Sequence, residues 1–157
     1  MEKDNEIHQG GCLCGVVRYE THGDPDRAPI CHCRYCQLRT GSAFGHLVYF
    51  PEDKVMLLSG GLTSYHFKSE SGNQWENRFC SRCGTSIFSL LEVRAGLIAI
   101  SAGTFDPPTF WFDVTREVFT RSKANYLGEI AAGETHSAIT GYNPHKDEDE
   151  RLSGKKL

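Results

Sequence analysis

The chemistry available to this sequence lies in its seven cysteines. They fall in three knots, Cys12-Leu13-Cys14, Cys31-His32-Cys33-Arg34-Tyr35-Cys36 and Cys80-Ser81-Arg82-Cys83, and none stands elsewhere. Zinc takes four ligands in a closed structural site, and three protein ligands plus an exchangeable position in an open catalytic one. Seven divides into four and three. The separated pairs Cys12/Cys14 and Cys80/Cys83 can meet from opposite sides and close a four-thiolate site. Cys31, Cys33 and Cys36 then supply three thiolates from one short loop. The competing readings are two disulfides with free thiols, an iron–sulfur cluster, or another pairing such as Cys12/Cys14 with Cys31/Cys33.

Zinc on three thiolates carries a single net negative charge and is a weak Lewis acid. Its softness suits a thiol as fourth ligand, and a coordinated thiol is deprotonated. Carbon–sulfur chemistry on a thiol substrate is therefore expected at Cys31, Cys33 and Cys36. Arg34 and Arg39 flank this loop, and Thr40-Gly41-Ser42 offers a tight turn, so Arg34, Arg39 and Ser42 are candidates for holding a small anionic ligand. Arg78 and Arg82 lie near the other knot. His32, between two ligands, is expected to point away from the metal. His46, His66, Trp75 and Phe44 read as packing, and Asp106 as a turn former.

The elements that must position these groups are short strands. Val17, Tyr19 and Thr21 share one face of an extended segment. Further runs at 43–50, 54–58, 62–68, 75–79, 85–91 and 96–102 are separated by turn signals such as Pro51-Glu52-Asp53 and Ser59-Gly60-Gly61. The expectation is a mainly β domain of antiparallel sheets stapled by zinc, with short helical turns at Arg34 to Leu38 and near Ser122 to Leu127. Residues 1–8 read as a flexible lead-in, 9–140 as the zinc domain, and 141–157 as a disordered polar tail with almost nothing to bury.

The 157 residues suit one domain, with 39% hydrophobic residues. No signal peptide or apolar membrane span is visible, which points to a cytoplasmic protein whose clustered cysteines are metal ligands or catalytic thiols. With 17 basic and 20 acidic side chains the net charge is −3, which argues against a nucleic-acid partner.

Gly10-Gly11-Cys12-Leu13-Cys14-Gly15-Val16-Val17-Arg18-Tyr19, then Cys31-His32-Cys33-Arg34-Tyr35-Cys36-Gln37, then Thr40-Gly41-Ser42-Ala43-Phe44 resemble the glutathione-dependent formaldehyde-activating enzyme family, which includes the centromere-protein-V-like proteins. Phe79-Cys80-Ser81-Arg82-Cys83-Gly84-Thr85 and Gly103-Thr104-Phe105-Asp106 continue the resemblance. It implies an Mss4-like fold of β-sheets around zinc and a carbon–sulfur lyase that forms S-hydroxymethylglutathione from formaldehyde and glutathione. By motif position, Cys12, Cys14, Cys80 and Cys83 match structural zinc ligands, and Cys31, Cys33 and Cys36 match catalytic ones, the second zinc being the labile one. The chain departs from the family pattern where a His-Ile-Phe and a later Trp are replaced by Glu117-Val118-Phe119 and Tyr126. The rival functions are a non-catalytic zinc module that binds a protein partner and a thiol-based metal or redox sensor.

Overall fold

A computed structural model describes residues 6–69 and 72–139. The expected tail from Gly141 lies outside the described residues. Strands dominate: β1 (Ile7–Gly11), β2 (Arg18–His22), β3 (Pro29–Cys31), β4 (Gly45–Pro51), β5 (Val55–Ser59), β6 (Leu62–Lys68), β7 (Gln74–Cys80), β8 (Ser86–Leu91), β9 (Leu97–Ser101), β10 (Arg116–Val118) and β11 (Glu134–Thr135), with one α-helix, α1 (Arg34–Thr40). The mainly β expectation holds.

The strands form two sheets. The smaller has the order β1-β2-β5, and the larger runs β11-β10-β3-β4-β9-β8-β7-β6. All pairings are antiparallel except two at one edge of the larger sheet, where β10 lies parallel to both β3 and β11. That parallel edge is the exception in a mainly antiparallel fold. Its strands are two or three residues long, and each parallel partner is far away in sequence, so no hairpin signal announces them.

Alternation along β4 divides the molecule into two faces. Val48 and Phe50 point into a core with Val17, Tyr19, Ile87, Ile100 and Phe105, sandwiched between the two sheets. Leu47 and Tyr49 point the other way, where Ala99, Trp75 and Leu91 pack with them. A side-chain period of two thus gives β4 one face for stability and one for the site. The core ends at the first cysteine group, since Cys12 and Cys80 are buried in it.

β1 takes in Ile7 and His8, which pair with His22 and Thr21. The second helical turn is displaced: a 3-10 turn at Thr120–Ser122 ends where the helix was expected to start, and only a turn closed by Leu127 N–H to Ala124 C=O follows. Lys123 is drawn instead into the interior, toward Glu117.

Candidate metal and thiol site

The seven thiols are all free and form two groups, Cys12/Cys14/Cys80/Cys83 and Cys31/Cys33/Cys36, the sulfurs of each within 4.8 Å of one another. The structure assembles neither a disulfide nor the pairing of Cys12/Cys14 with Cys31/Cys33.

Two turns of similar build carry the four-cysteine group. After Cys14, Gly15 takes φ 77°, and its N–H bonds Cys12 C=O at 3.0 Å; after Cys83, Gly84 takes φ 75°, and its N–H bonds Cys80 C=O at 2.9 Å. Positive φ is the reason glycine ends each knot. The turns aim donors at sulfur: Val17 N–H reaches Cys12 Sγ at 3.2 Å and Arg82 N–H reaches Cys80 Sγ at 3.4 Å. Cys83 Sγ lies 3.2 Å from the Thr85 hydroxyl, which, with the Thr85 backbone, pulls its pKa down to about 5. Sulfur separations of 3.4 Å (Cys12 to Cys14) and 3.8 Å (Cys14 to Cys80) compare with about 3.8 Å between corners of a zinc tetrahedron with bonds of about 2.3 Å. A disulfide would need about 2.05 Å. This group could hold a zinc ion.

The three-cysteine group sits where β3 turns into α1. Cys31 ends β3, Cys33 is the extended N-cap of α1, and its sulfur accepts from Cys36 N–H at 3.4 Å. Gly41 closes the helix at φ 65°, its N–H bonding Gln37 C=O at 2.8 Å. The Gln37 amide then donates to Ala43 C=O and Ser122 C=O, both at 3.2 Å, fastening the helix to its neighbours. Hydrogen bonds from Cys31 and Cys33, with the Arg39 guanidinium close by, hold the Cys36 thiol well below its ordinary range. One member of the trio is thus favoured as thiolate, which is the donor chemistry that a soft metal takes.

A buried clamp holds this loop from behind. Residues 30 and 31 pair with Glu117 and Val118 of β10, and His32 N–H bonds Val118 C=O at 3.0 Å. The His32 ring is fully buried and meets Glu117 Oε1 at 2.8 Å, with Lys123 Nζ on the same oxygen at 2.7 Å. Burial alone would raise the Glu117 carboxyl, but Lys123 and His32 outweigh it and hold it below the usual carboxylate range. His32 therefore points away from the sulfurs, as its place between two ligands suggested.

In front of the loop lies a cavity of about 200 Å³. Cys31, Cys33 and Cys36 line it together with Leu47, Tyr49, Trp75, Leu91 and Phe119. Phe119 takes φ 56°, a region bulky residues rarely adopt. Three arginines, Arg27, Arg94 and Arg116, also line it. Arg27 is paired with Asp26 and Arg116 with Glu134, whereas Arg94 has no carboxylate partner among the described residues.

Of the sequence candidates for an anionic ligand, Arg34 and Ser42 are not among the lining residues of this cavity. Arg39 and Ser42 line a second groove with Thr40 and His46. The Arg39 guanidinium lies beside Cys36 and 5.9 Å over the Trp75 ring. Asp106 pairs with Arg18, and Tyr126 is exposed. Arg94, Arg116 and Tyr49 could not be picked out in sequence, because only the folded strands and turns bring them to the cavity that Cys31 lines. Glu117 did carry a signal: it stands where the family pattern has histidine.

A family model described as glutathione-dependent formaldehyde-activating enzyme matches residues 7–122. A crystal structure of a Rhodobacter sphaeroides protein aligns with TM-score 0.51 at 18% identity, covering 66% of this chain and 95% of that one, a likeness of fold.

Proposed function

Because this chain belongs to the glutathione-dependent formaldehyde-activating enzyme family, we propose that it is a zinc-dependent carbon–sulfur lyase acting on a thiol–aldehyde adduct such as S-hydroxymethylglutathione. The observation that carries this reading is the cavity that opens on all three sulfurs of Cys31, Cys33 and Cys36 and is lined by both apolar side chains and arginines. Cys31, Cys33 and Cys36 would hold the zinc, which would favour a substrate thiol in its deprotonated form.

The chain's own residues do the remaining work. Leu47, Tyr49, Trp75 and Leu91 keep water from the reacting sulfur and carbon. Arg94, with Arg116 and Arg27, receives the carboxylates of a thiol of glutathione type. In the synthetic direction the sulfur–carbon bond forms, the carbonyl π bond breaks, and the thiol proton ends on the new hydroxyl. The reverse reaction releases thiol and aldehyde. Clustered thiols in this role belong in a reducing, cytoplasmic setting. No helix among the described residues is long and apolar enough to cross a membrane.

Carbon-13 formaldehyde followed by NMR with glutathione tests the proposal. Wild-type protein is expected to hold two zinc ions, one per cysteine group, and to speed adduct formation over buffer. Cys33→Ser is expected to hold one zinc and to lose the acceleration. An unaccelerated wild-type reaction, with no glutathione bound at millimolar concentration, would sink the lyase reading.

A further inference from the structure

Arg39 has surroundings that the lyase reading does not account for. It stands in the last turn of α1, and its Nε and Nη2 are buried and have no hydrogen-bond partner. Among the described residues no carboxylate pairs with it. Its neighbours are the face of Trp75 and the Cys36 thiol. The fit is tight on the remaining side: a Cβ at Gly45 would stand 2.7 Å from Arg39 Nη2 and 3.2 Å from Cys36 Sγ, so a larger residue there would push the guanidinium tip out of its place beside the sulfur.

A guanidinium is protonated at any ordinary pH, and burying it without an anion is costly. Stacking on Trp75 offsets part of this cost. The anion that the site offers is the sulfur cluster itself. Three thiolates on a divalent ion leave one net negative charge, and a fourth thiolate would make two. A neutral fourth ligand adds none. A fixed cation beside Cys36 therefore favours an incoming anionic sulfur far more than a neutral donor, since charge interactions are strongest where water is excluded.

We infer that Arg39 is a built-in counter-cation of the three-cysteine centre, which selects an anionic sulfur over a neutral ligand for the fourth position. Arg39 is then a specificity-determining residue that acts through charge and does not itself grip the substrate's carboxylates, the task its place in the sequence had suggested. This inference rests on the thiol-binding reading above.

Cobalt(II)-loaded full-length protein tests it, because sulfur–cobalt absorption reports each change of ligand. The four-cysteine group, which has no open position, contributes a constant background. Wild type, Arg39→Gln and Arg39→Lys are each titrated with glutathione, an anionic sulfur donor, and with imidazole, a neutral nitrogen donor. Arg39→Gln is expected to weaken glutathione binding about tenfold or more while imidazole stays within about twofold. Arg39→Lys, which keeps the charge, is expected within about threefold of wild type for both. Equal losses for the two ligands in Arg39→Gln, no loss for either, or a glutathione loss in Arg39→Lys as large as in Arg39→Gln would each overturn the inference. A wild-type spectrum that glutathione leaves unchanged would remove the thiol reading first, and this inference with it.

Discussion

Burial drives the His46 pKa down to about 4 against a weak opposing hydrogen bond to the Ala28 backbone. Its ring is stacked on Phe110 at 6.4 Å and edge-on to Phe112 at 5.4 Å, and its Nε2 is buried without a partner. The consequence for stability has a definite sign. In the unfolded chain the ring protonates near pH 6.5, whereas the folded chain resists until about pH 4. Between those values the unfolded state binds the extra proton, so the contribution is complete above pH 6.5 and is lost as pH falls toward 4. The loss across that window is about 3 kcal/mol. Urea unfolding of wild type and His46→Leu at several pH values checks it. The wild-type curve should slope by up to one proton more than the variant between pH 6.5 and 4, and parallel curves would refute the assignment.

At the scale of elements, β3, α1 and β10 act as one unit around the three thiols. Glu117→Ala would leave the buried His32 ring and the Lys123 ammonium without their shared carboxylate, at a cost of about 3 kcal/mol. The loosened loop should then give up its metal to a chelator faster than wild type, while the metal of the four-cysteine group leaves at an unchanged rate. Stopped-flow metal transfer to a chromogenic chelator separates the two phases, and equal acceleration of both would show a general loss of structure.

The same elements mark where the sequence could and could not be read. α1 was legible as a turn from Arg34 because Gly41 stops it, though the helix runs on to Thr40. β4 to β9 were legible because apolar residues and turn glycines punctuate them. β1 was not, since Ile7-His8-Gln9-Gly10-Gly11 has no alternation and gains its place by pairing with β2. β3 and β10 have three residues each and owe their existence to one another. The grouping of the cysteines could be read from ligand counting. The cavity in front of three of them could not, because Arg94, Trp75 and Tyr49 reach it from β-strands and turns spread over the larger sheet.

For the molecule as a whole, the four-cysteine group joins the turn after β1 to the turn after β7, across 66 residues between Cys14 and Cys80. Cys12 and Cys80 are part of the main core, so this closure and the packing of the two sheets depend on each other. Cys80→Ser should therefore cost about 3–5 kcal/mol and lower the melting temperature by about 10 °C. Cys33→Ser, which opens only the loop beside the cavity, should lower it by no more than about 3 °C. Calorimetry of the two variants beside wild type decides this, and similar melting temperatures would contradict the division of roles.

The parallel pairing of β3 with β10 joins segments that leave the ribosome far apart in time. The four-cysteine group has all its ligands once Cys83 has emerged. The three-cysteine loop is synthesised long before that, yet Glu117, Val118 and Lys123, which hold it from behind, emerge near the end of the domain. A nascent chain thus carries its staple before its clamp. A metal ion taken up by the four-cysteine group would be captured during synthesis, whereas the three-cysteine loop that faces the cavity is shaped last, once β10 can pair behind it.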